Sequence, residues 1–452
     1  MPLKRILILL LISAVALCFS GCDLVTVNTE ELLSPPELTG ELRLIKEALE
    51  SSVNTPITLK YPSGGEYRSP VILRDINGDG TDEAFAFYST SDTELTSMNL
   101  SVVKYDKKEN RWIAFDRQTL TGSGVEKVVF SDLDSDGTEE IVVGWEIYAA
   151  SEKQLAIYSV GETATTQRML ERYTTFLSTD LDEDKRPEIL MQFLDTDAAT
   201  NTASLVVLDQ NGVLKYGQCV MDGTVKTVLT PVLSTLSNGR TAVYFDEIKG
   251  VGAITEVIFF SKGELQNPLF DKEKLENKTT LRDSALLIND INNDGVLEIP
   301  IAKELINADV TSTEKLNYTS WCSFNGENFT EMKLSIINTL DGYRIDIPTK
   351  WYEKIAIAKN TEKRERVVYN YITTKNPSGE TDEIGEIGDT VVTLKTVTHS
   401  EFNSGRGFDK KKAVEICRGE QLVYLAIIPE NSQGAVKVTL DQLKQMIVPM
   451  QF

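Results

Sequence analysis

Short runs of apolar, aromatic and β-branched residues separated by polar or glycine-containing turns fill most of the chain from residue 55 to residue 338. Runs of this kind are typical of β-strands. The clearest are Leu100 to Tyr105, Trp112 to Phe115, Val128 to Phe130 and Ile141 to Trp145. Residues 41–53 differ, because Leu42, Ile45 and Leu49 recur at spacings of three and four, which predicts a helix. The pattern therefore predicts a mainly β chain that begins with one short helix.

After residue 338 the apolar runs become longer, and a helical pattern closes the chain. Strands are predicted at Tyr343 to Pro348, Val367 to Ile372, Thr390 to Val397, Val414 to Cys417 and Gln421 to Ile428. Thr439 followed by Gln442 is a capping-box pair, which predicts a helix that starts there and runs to Met446. Residues 339–452 are therefore predicted to form a small α+β domain.

A nine-residue acidic segment occurs four times, each time between two apolar runs, and has oxygen-bearing side chains at its positions 1, 3, 5 and 9. The copies begin at Asp75, Asp132, Asp180 and Asp290. The first three copies are about 50 residues apart and the last two about twice that, so one repeat is predicted to have lost its acidic residues. Its trace is placed at residues 243–247 and 256–260. Strands at residues 71–73, 128–130 and 285–288 would place each segment in a tight β-hairpin.

The acidic segments have the composition of a calcium loop. Calcium takes six to eight oxygen ligands, which alternate residues of a tight loop can supply. Glycine at position 6 permits the turn, the backbone carbonyl at position 7 adds a ligand, and the glutamate at position 9 closes the shell. The candidate ligands are Asp75, Asn77, Asp79, Thr81 and Glu83; Asp132, Asp134, Asp136, Thr138 and Glu140; Asp180, Asp182, Asp184, Arg186 and Glu188; and Asp290, Asn292, Asp294, Val296 and Glu298.

Two features of the sequence define which copies and which kind of calcium loop this interpretation covers. The third copy is the weakest candidate, because Lys185 replaces the glycine and Arg186 adds a second cation. Position 12 is apolar in every copy and a strand-like run follows, which excludes an EF-hand. The alternative is a set of acidic turns without a metal, since Asp, Asn and Gly are common in turns.

The acidic segments and the strands around them resemble the VCBS and FG-GAP repeats of integrin-type propellers, over roughly residues 65 to 335. The resemblance implies a calcium-stiffened β-propeller used in adhesion or ligand binding. A unit of about 50 residues has room for the four strands of a blade, and the four runs from Leu100 to Trp145 are assigned to one such unit. Residues 55–338 would then hold five to seven blades. The segment from Gly342 to Pro348, with Trp351, is similar to PsbP-like domains.

The N-terminus has the order of a secretory signal, with Lys4 and Arg5 before an apolar run from residue 6 to residue 19. The following Ser20-Gly21-Cys22 resembles the lipobox of bacterial lipoproteins, which implies removal of residues 1–21 and a lipid on Cys22. Residues 22–54 would form a tether and the short helix. The segments at residues 33–39, 59–62 and 67–69 resemble lipoproteins of Gram-positive anaerobes, and this implies the outer face of such a membrane. A plain signal peptide with an incidental cysteine is the alternative.

Composition and the absence of several sequence motifs exclude some classes of function. The chain has 46 Lys plus Arg against 68 Asp plus Glu, a net charge of -22 that disfavours nucleic acid as a partner. His399 is the only histidine and the five cysteines form no CxxC pair, which excludes several zinc and redox sites. No GxSxG elbow, Walker loop or GxGxxG after a strand is present. The four tryptophans, which could stack on sugars, are expected in the core.

The combined prediction is a cell-surface, calcium-binding, non-enzymatic module that binds an extracellular protein or glycan. A carbohydrate-active enzyme of the cell envelope and a structural subunit of an envelope complex are the alternatives.

Overall fold

A computed structural model describes residues 40–90, 96–147, 152–209, 212–375 and 383–450. Strands make up 54% and helices 8%, which confirms the mainly β prediction. Helix α1 (Gly40–Val53) lies where the spacing of apolar residues predicts it, and it buries Ile45 and Leu49. Within the described ranges no helix is long and apolar enough to span a membrane. The predicted signal peptide, the lipidation site at Cys22 and the tether up to residue 39 lie outside these ranges.

Consecutive antiparallel strands form four sheets in chain order. The first sheet contains β1 (Thr58–Leu59), β2 (Val71–Arg74), β3 (Glu83–Ser89), β4 (Thr96–Asp106) and β5 (Arg111–Gly122). The second contains β6 (Gly124–Ser131), β7 (Glu140–Glu146), β8 (Lys153–Val160) and β9 (Thr165–Arg172). The third contains β10 (Thr175–Thr179), β11 (Glu188–Asp195), β12 (Thr200–Asp209) and β13 (Gly212–Met221). The fourth contains β14 (Thr227–Val228), β15 (Val232–Thr235), β16 (Thr241–Lys249), β17 (Gly252–Ser261), β18 (Glu264–Gln266) and β19 (Arg282–Asp283).

The fifth sheet has ten strands and crosses residue 338. Its antiparallel part contains β20 (Ile299–Asn307), β21 (Leu316–Phe324), β22 (Phe329–Asn338), β23 (Tyr343–Ile347) and, at its edge, β29 (Ile447–Pro449). Strand β20 also pairs in parallel with β24, which leads into the remaining strands. These are β24 (Ile355–Asn360), β25 (Glu365–Lys375), β26 (Glu383–Thr398), β27 (Val414–Arg418) and β28 (Leu422–Ile427). The domain boundary placed at residue 338 stays a prediction.

Helices α2 (His399–Ser404) and α3 (Leu440–Met446) belong to the C-terminal part. The Thr439 hydroxyl accepts the N–H of Gln442, and the Gln442 side chain accepts the N–H of Thr439. This reciprocal pair satisfies two backbone donors that the first turn of a helix leaves free. The predicted capping box is therefore confirmed.

Each of the first four sheets packs on the next through apolar side chains. Phe85 and Val143 share one cluster between the first and second sheets. The clusters of the following pairs contain Ile157 with Met191, Leu205 with Phe245, and Tyr244 with Phe324. The opposite face of the first sheet packs on α1 through Ala84, Ala86 and Tyr88. The described core is thus a series of sheets, each of which covers the face of its neighbour.

Two sequence predictions about strands need correction. The four runs from Leu100 to Trp145 do not form one unit, because β4 and β5 end the first sheet at Gly122 and β6 and β7 begin the second. Residues 285–288 are not a strand. There the N–H of Ile288 donates to a carboxylate oxygen of buried Asp246 at 2.9 Å, and Arg282 donates from Nε to the carbonyl of Leu286 at 2.7 Å. These side chains take the place of a strand partner for that backbone.

Candidate metal centres

The four acidic segments are hairpin loops at equivalent places in their sheets. We call them loop 1 (Asp75–Glu83), loop 2 (Asp132–Glu140), loop 3 (Asp180–Glu188) and loop 4 (Asp290–Glu298). Loops 1 to 3 join β2 to β3, β6 to β7 and β10 to β11, which are antiparallel pairs. Loop 4 is closed by the antiparallel bridge of Asn289 with Glu298 and leads directly into strand β20. A strand follows every loop, as the sequence predicts.

One hydrogen-bond pattern recurs in all four loops. The carboxylate at position 1 accepts the N–H at position 6, and the carboxylate at position 5 accepts the N–H at position 7. The first of these bonds is donated by Gly80 at 2.8 Å, Gly137 at 3.1 Å, Lys185 at 3.0 Å and Gly295 at 2.8 Å. The second is donated by Thr81 at 2.8 Å, Thr138 at 2.7 Å, Arg186 at 2.8 Å and Val296 at 2.8 Å. Aspartate favours such short side-chain-to-backbone rings, so the spacing itself specifies the loop conformation.

The glutamate at position 9 anchors each loop to the following strand. Glu83, Glu140, Glu188 and Glu298 are all buried. In each loop one of its carboxylate oxygens accepts the N–H at position 2, donated by Ile76 at 3.4 Å and by Leu133, Leu181 and Ile291 at 2.9 Å. Removal from water raises the pKa of the glutamate in every loop, to about 7 for Glu140 and about 8 for Glu188.

Loops 2 and 3 bring their carboxylates to a common point. In loop 3 one oxygen from each of Asp180, Asp182, Asp184 and Glu188 lies within 4.8 Å of the others. The same limit holds in loop 2 for its three aspartates. In addition, Oδ1 of Asp180 is buried and has no hydrogen-bond partner among the described residues. Several carboxylate oxygens at this separation fit the preference of a hard divalent cation, because each can serve as a ligand.

Loops 1 and 4 have asparagine at position 3, and its amide nitrogen faces the glutamate. Nδ2 of Asn77 donates to Glu83 at 3.3 Å, and Nδ2 of Asn292 donates to Glu298 at 3.5 Å. In both loops Oδ1 of the asparagine accepts the N–H at position 5, at 2.9 Å from Asp79 and 3.0 Å from Asp294. Both asparagines therefore belong to the same ring of side chains as their aspartate counterparts in loops 2 and 3.

Loop 3 keeps this geometry despite its two cations. Lys185 has a φ of 74°, close to the 88° of Gly137 at the same position of loop 2. The guanidinium of Arg186 donates to the carbonyl of Leu208 at 3.2 Å. The substitution that makes this loop the weakest candidate in the sequence therefore leaves the loop conformation unchanged.

The loops also contact the neighbouring sheets. The N–H of Glu139 in loop 2 donates to the carbonyl of Ile76 in loop 1 at 2.9 Å. In loop 3, Glu183 accepts the N–H of Thr241 from the fourth sheet at 3.0 Å. Loop 4 is held within its own fifth sheet, where Lys333 of β22 donates to the carbonyl of Ile291 at 3.4 Å. A change in loop conformation would therefore be transmitted to the packing of the sheets.

The lost repeat lies in the fourth sheet, but not at the residues that the sequence suggests. Asp246 and Glu247 are within β16, whereas the hairpin equivalent to the acidic loops is the five-residue segment from Leu236 to Arg240. Thr241, paired with Thr235, takes the place of the position-9 glutamate. Residues 243–247 and 256–260 are therefore parts of strands β16 and β17, which follow the shortened loop.

Other candidates in the sequence lie outside these loops. His399 is the first residue of α2, and its Nε2 is 3.1 Å from the carbonyl oxygen of Gly419. The four tryptophans are buried, which confirms that they belong to the core: Trp112, Trp145, Trp321 and Trp351.

Comparison with known proteins leaves the family open. No protein-family model matches the chain, and no curated protein matches it. Solved structures with distant similarity include Sqt1 of Saccharomyces cerevisiae, at 10% identity over 78% of this chain and 86% of that chain, with a TM-score of 0.27. The periplasmic gluconolactonase PpgL of Pseudomonas aeruginosa has 11% identity over 74% and 88% of the two chains, with a TM-score of 0.26. The polysaccharide lyase Uly1 has 9% identity over 83% and 93%, with a TM-score of 0.28. Similarities at this level identify neither a family nor an activity.

Proposed function

We propose that this chain is a calcium-binding protein of the β-propeller type that acts as a non-enzymatic binding module for an extracellular protein or glycan. In this proposal the lipid on Cys22 holds it to the outer face of a bacterial membrane. The observation that carries the calcium assignment is the recurrence of one loop geometry in four places, with carboxylates converging within 4.8 Å in two of them.

Calcium would have a structural role in these loops. Carboxylates this close repel one another when ionised, and a bound divalent cation reverses the sign of that interaction. Because the loops contact neighbouring sheets, binding would stabilise the packed series of sheets as a whole. A ligand that binds only the folded state raises the free energy of unfolding through linkage.

Calorimetric titration of residues 23–452 with calcium, combined with thermal unfolding in calcium and in EDTA, tests the proposal. We expect three or four sites per chain and a higher melting temperature in calcium. Asp134→Ala removes one ligand of loop 2 and is expected to abolish one site. Asp106→Ala is the matched control, because Asp106 also accepts a backbone N–H in a turn between two strands, from Lys108 at 2.8 Å, but lies outside the four loops. Equal melting temperatures in calcium and in EDTA, with no heat of binding, would contradict the proposal and show that the loops are acidic turns that bind no calcium.

A further inference from the structure

The shortened hairpin of the fourth sheet leaves a cleft where the other sheets carry an acidic loop. The hairpin is attached to the fifth sheet, because the N–H of Ser237 donates to the carbonyl of Phe324 at 2.9 Å. Nδ2 of Asn238 donates to the carbonyl of Asn325 at 2.8 Å. Between these points and the turn that follows β17 lies a cleft of about 410 Å³. This volume is within the usual range of small-molecule sites.

The lining of the cleft has two cationic side chains and one carboxylate, that of Glu327. The lining includes Arg240 and Lys262, together with Phe259, Ser261, Gln266 and Glu327. The Arg240 guanidinium is half-buried and lies 5.5 Å from the centre of the Phe259 ring. In the described part of the chain, neither this guanidinium nor the Lys262 ammonium forms an ion pair or a hydrogen bond to a side chain. Arg240 also lies within electrostatic reach of Glu183 in loop 3, but the two form no ion pair in the described structure. In a protein with a net charge of -22, two cations that line one cleft without an ion pair are a distinctive feature.

The polar groups around the cations restrict the chemistry of a ligand. A carboxylate matches the planar fork of a guanidinium and is attracted by the ammonium as well. The Gln266 amide and the Ser261 hydroxyl can each donate and accept, which suits hydroxyl groups on the ligand. Glu327 opposes a ligand of high negative charge, such as a phosphate, but can accept a hydrogen bond from a hydroxyl. The lining therefore favours one carboxylate surrounded by hydroxyls.

We propose that this cleft binds a uronic acid, either free or as a unit of an acidic polysaccharide. The carboxylate would lie between Arg240 and Lys262, and the ring hydroxyls would contact Gln266, Ser261 and Glu327. This inference rests on the proposed binding function and names its ligand class. The lining of the cleft contains no residue of the four acidic loops, so calcium and this ligand would be held by different side chains.

Calorimetric titration of residues 23–452, loaded with calcium and freed of the excess, tests the inference. The probes are glucuronate and galacturonate, their tetramers, glucose, acetate and sulfate. We expect a uronate to bind at least tenfold more tightly than glucose, acetate or sulfate. If a tetramer binds more tightly than the single sugar, the source of the ligand is a polysaccharide. If the tetramer and the single sugar bind with equal affinity, the ligand is the free sugar. Equal affinity for sulfate or acetate, or no uronate binding, would overturn the proposal.

Arg240→Gln is expected to weaken uronate binding at least tenfold, and Lys262→Gln to weaken it as well. Arg117→Gln on β5 is the matched control, because it makes the same charge change at an exposed site of the first sheet. If Arg240→Gln binds as tightly as the control, the cleft is not the site. The Asp134→Ala variant should keep its uronate affinity, so a failure of the calcium assignment and a failure of this inference give different results.

Discussion

At position 6 of the acidic loops, the backbone conformation depends both on the residue type and on the hydrogen bonds to the aspartates. Three loops have glycine there, with φ between 81° and 88°, and loop 3 has Lys185 at 74°. A residue with a Cβ atom loses about 1–2 kcal/mol in this left-handed region. The N–H of Lys185 nevertheless donates to Asp180 at 3.0 Å, in the bond that glycine makes elsewhere. The aspartate rings therefore hold the turn even where the residue itself disfavours it.

Lys185→Gly should increase the free energy of unfolding in EDTA by up to about 1 kcal/mol, because it removes the backbone strain while glycine restores some entropy to the unfolded chain. It should also tighten calcium binding to loop 3. Urea denaturation and calorimetric titration measure the two effects. Lys185→Ala separates them, because it removes the charge and keeps the strain. If Lys185→Ala is as stable as Lys185→Gly, strain at this residue is not the cause.

At the scale of elements, the third and fourth sheets meet across buried acids as well as apolar side chains. Glu247 on β16 is fully buried, and its Oε1 accepts hydrogen bonds from Gln192 at 2.7 Å and Asn201 at 2.9 Å. Glu256 on β17 is also fully buried and accepts from Nδ2 of Asn267 at 2.8 Å and from the N–H of Asp222 at 2.9 Å. The two hydrogen bonds to Glu247 link β11 and β12 of the third sheet to the fourth sheet.

The surroundings of the two glutamates favour protonation. Burial raises the pKa of both carboxyl groups, and the closeness of Glu256 raises that of Glu247 further. The ammonium of Lys249 on β16 donates to Asp222 at 2.6 Å and to Glu276 at 3.2 Å rather than to Glu247 or Glu256. Cys219 also faces Glu256, and burial together with this carboxyl raises the pKa of its thiol to about 12. Two buried carboxyl groups without a cation of their own are most stable when they share a proton.

The free energy of unfolding should therefore decrease as the pH rises above about 4.5. The unfolded chain releases these protons near the ordinary glutamate pKa, whereas the folded chain retains them, so the folded state binds more protons in this range. The stabilisation is complete below the unfolded pKa and is lost as the pH passes through the raised folded pKa. Urea denaturation at several values from pH 5 to pH 9 measures the slope. Glu247→Gln should flatten it, and Glu264→Gln on β18, an exposed position, should not. Identical slopes in both variants would show that the pair is not responsible.

The contrast between loops and sheets explains what the sequence can predict. The acidic loops are local, so the spacing of Asp75, Asp79 and Glu83 is enough to predict their hairpin and the strand that follows. Helix α1 and the capping box of α3 were predictable for the same reason. Grouping strands into sheets depends on contacts between distant residues, and the boundary at Gly122 carries no local signal. Arg240 and Lys262 line one cleft only once β16 and β17 have paired, and Glu247 meets Gln192 only after the third and fourth sheets have packed. Neither the cleft nor the buried acids can therefore be predicted from spacing.

At the scale of the whole molecule, the fifth sheet contains strands from both sides of the boundary predicted at residue 338. Leu316 and Leu334, before residue 338, share a hydrophobic cluster with Trp351, Leu394 and Leu443 after it. The backbone contributes as well, because β22 pairs with β23 in an antiparallel ladder of five residue pairs. The parts before and after residue 338 should therefore not fold independently, because separating them would expose a large apolar surface on each.

We therefore expect the fifth sheet and the C-terminal strands to unfold in a single transition. Leu334→Ala should decrease the free energy of unfolding by about 2–5 kcal/mol through a cavity in this cluster, and should shift the calorimetric transition that contains Trp351. Leu340→Ala is the matched control, because Leu340 is 67% exposed and its truncation leaves no cavity. Calorimetry follows the unfolding of the whole chain. The fluorescence of Trp351, with the other tryptophans replaced by phenylalanine, follows the part after residue 338. If Leu334→Ala lowers one calorimetric transition while the Trp351 signal keeps its midpoint, the two parts unfold independently, and the domain boundary at residue 338 is real despite the shared sheet.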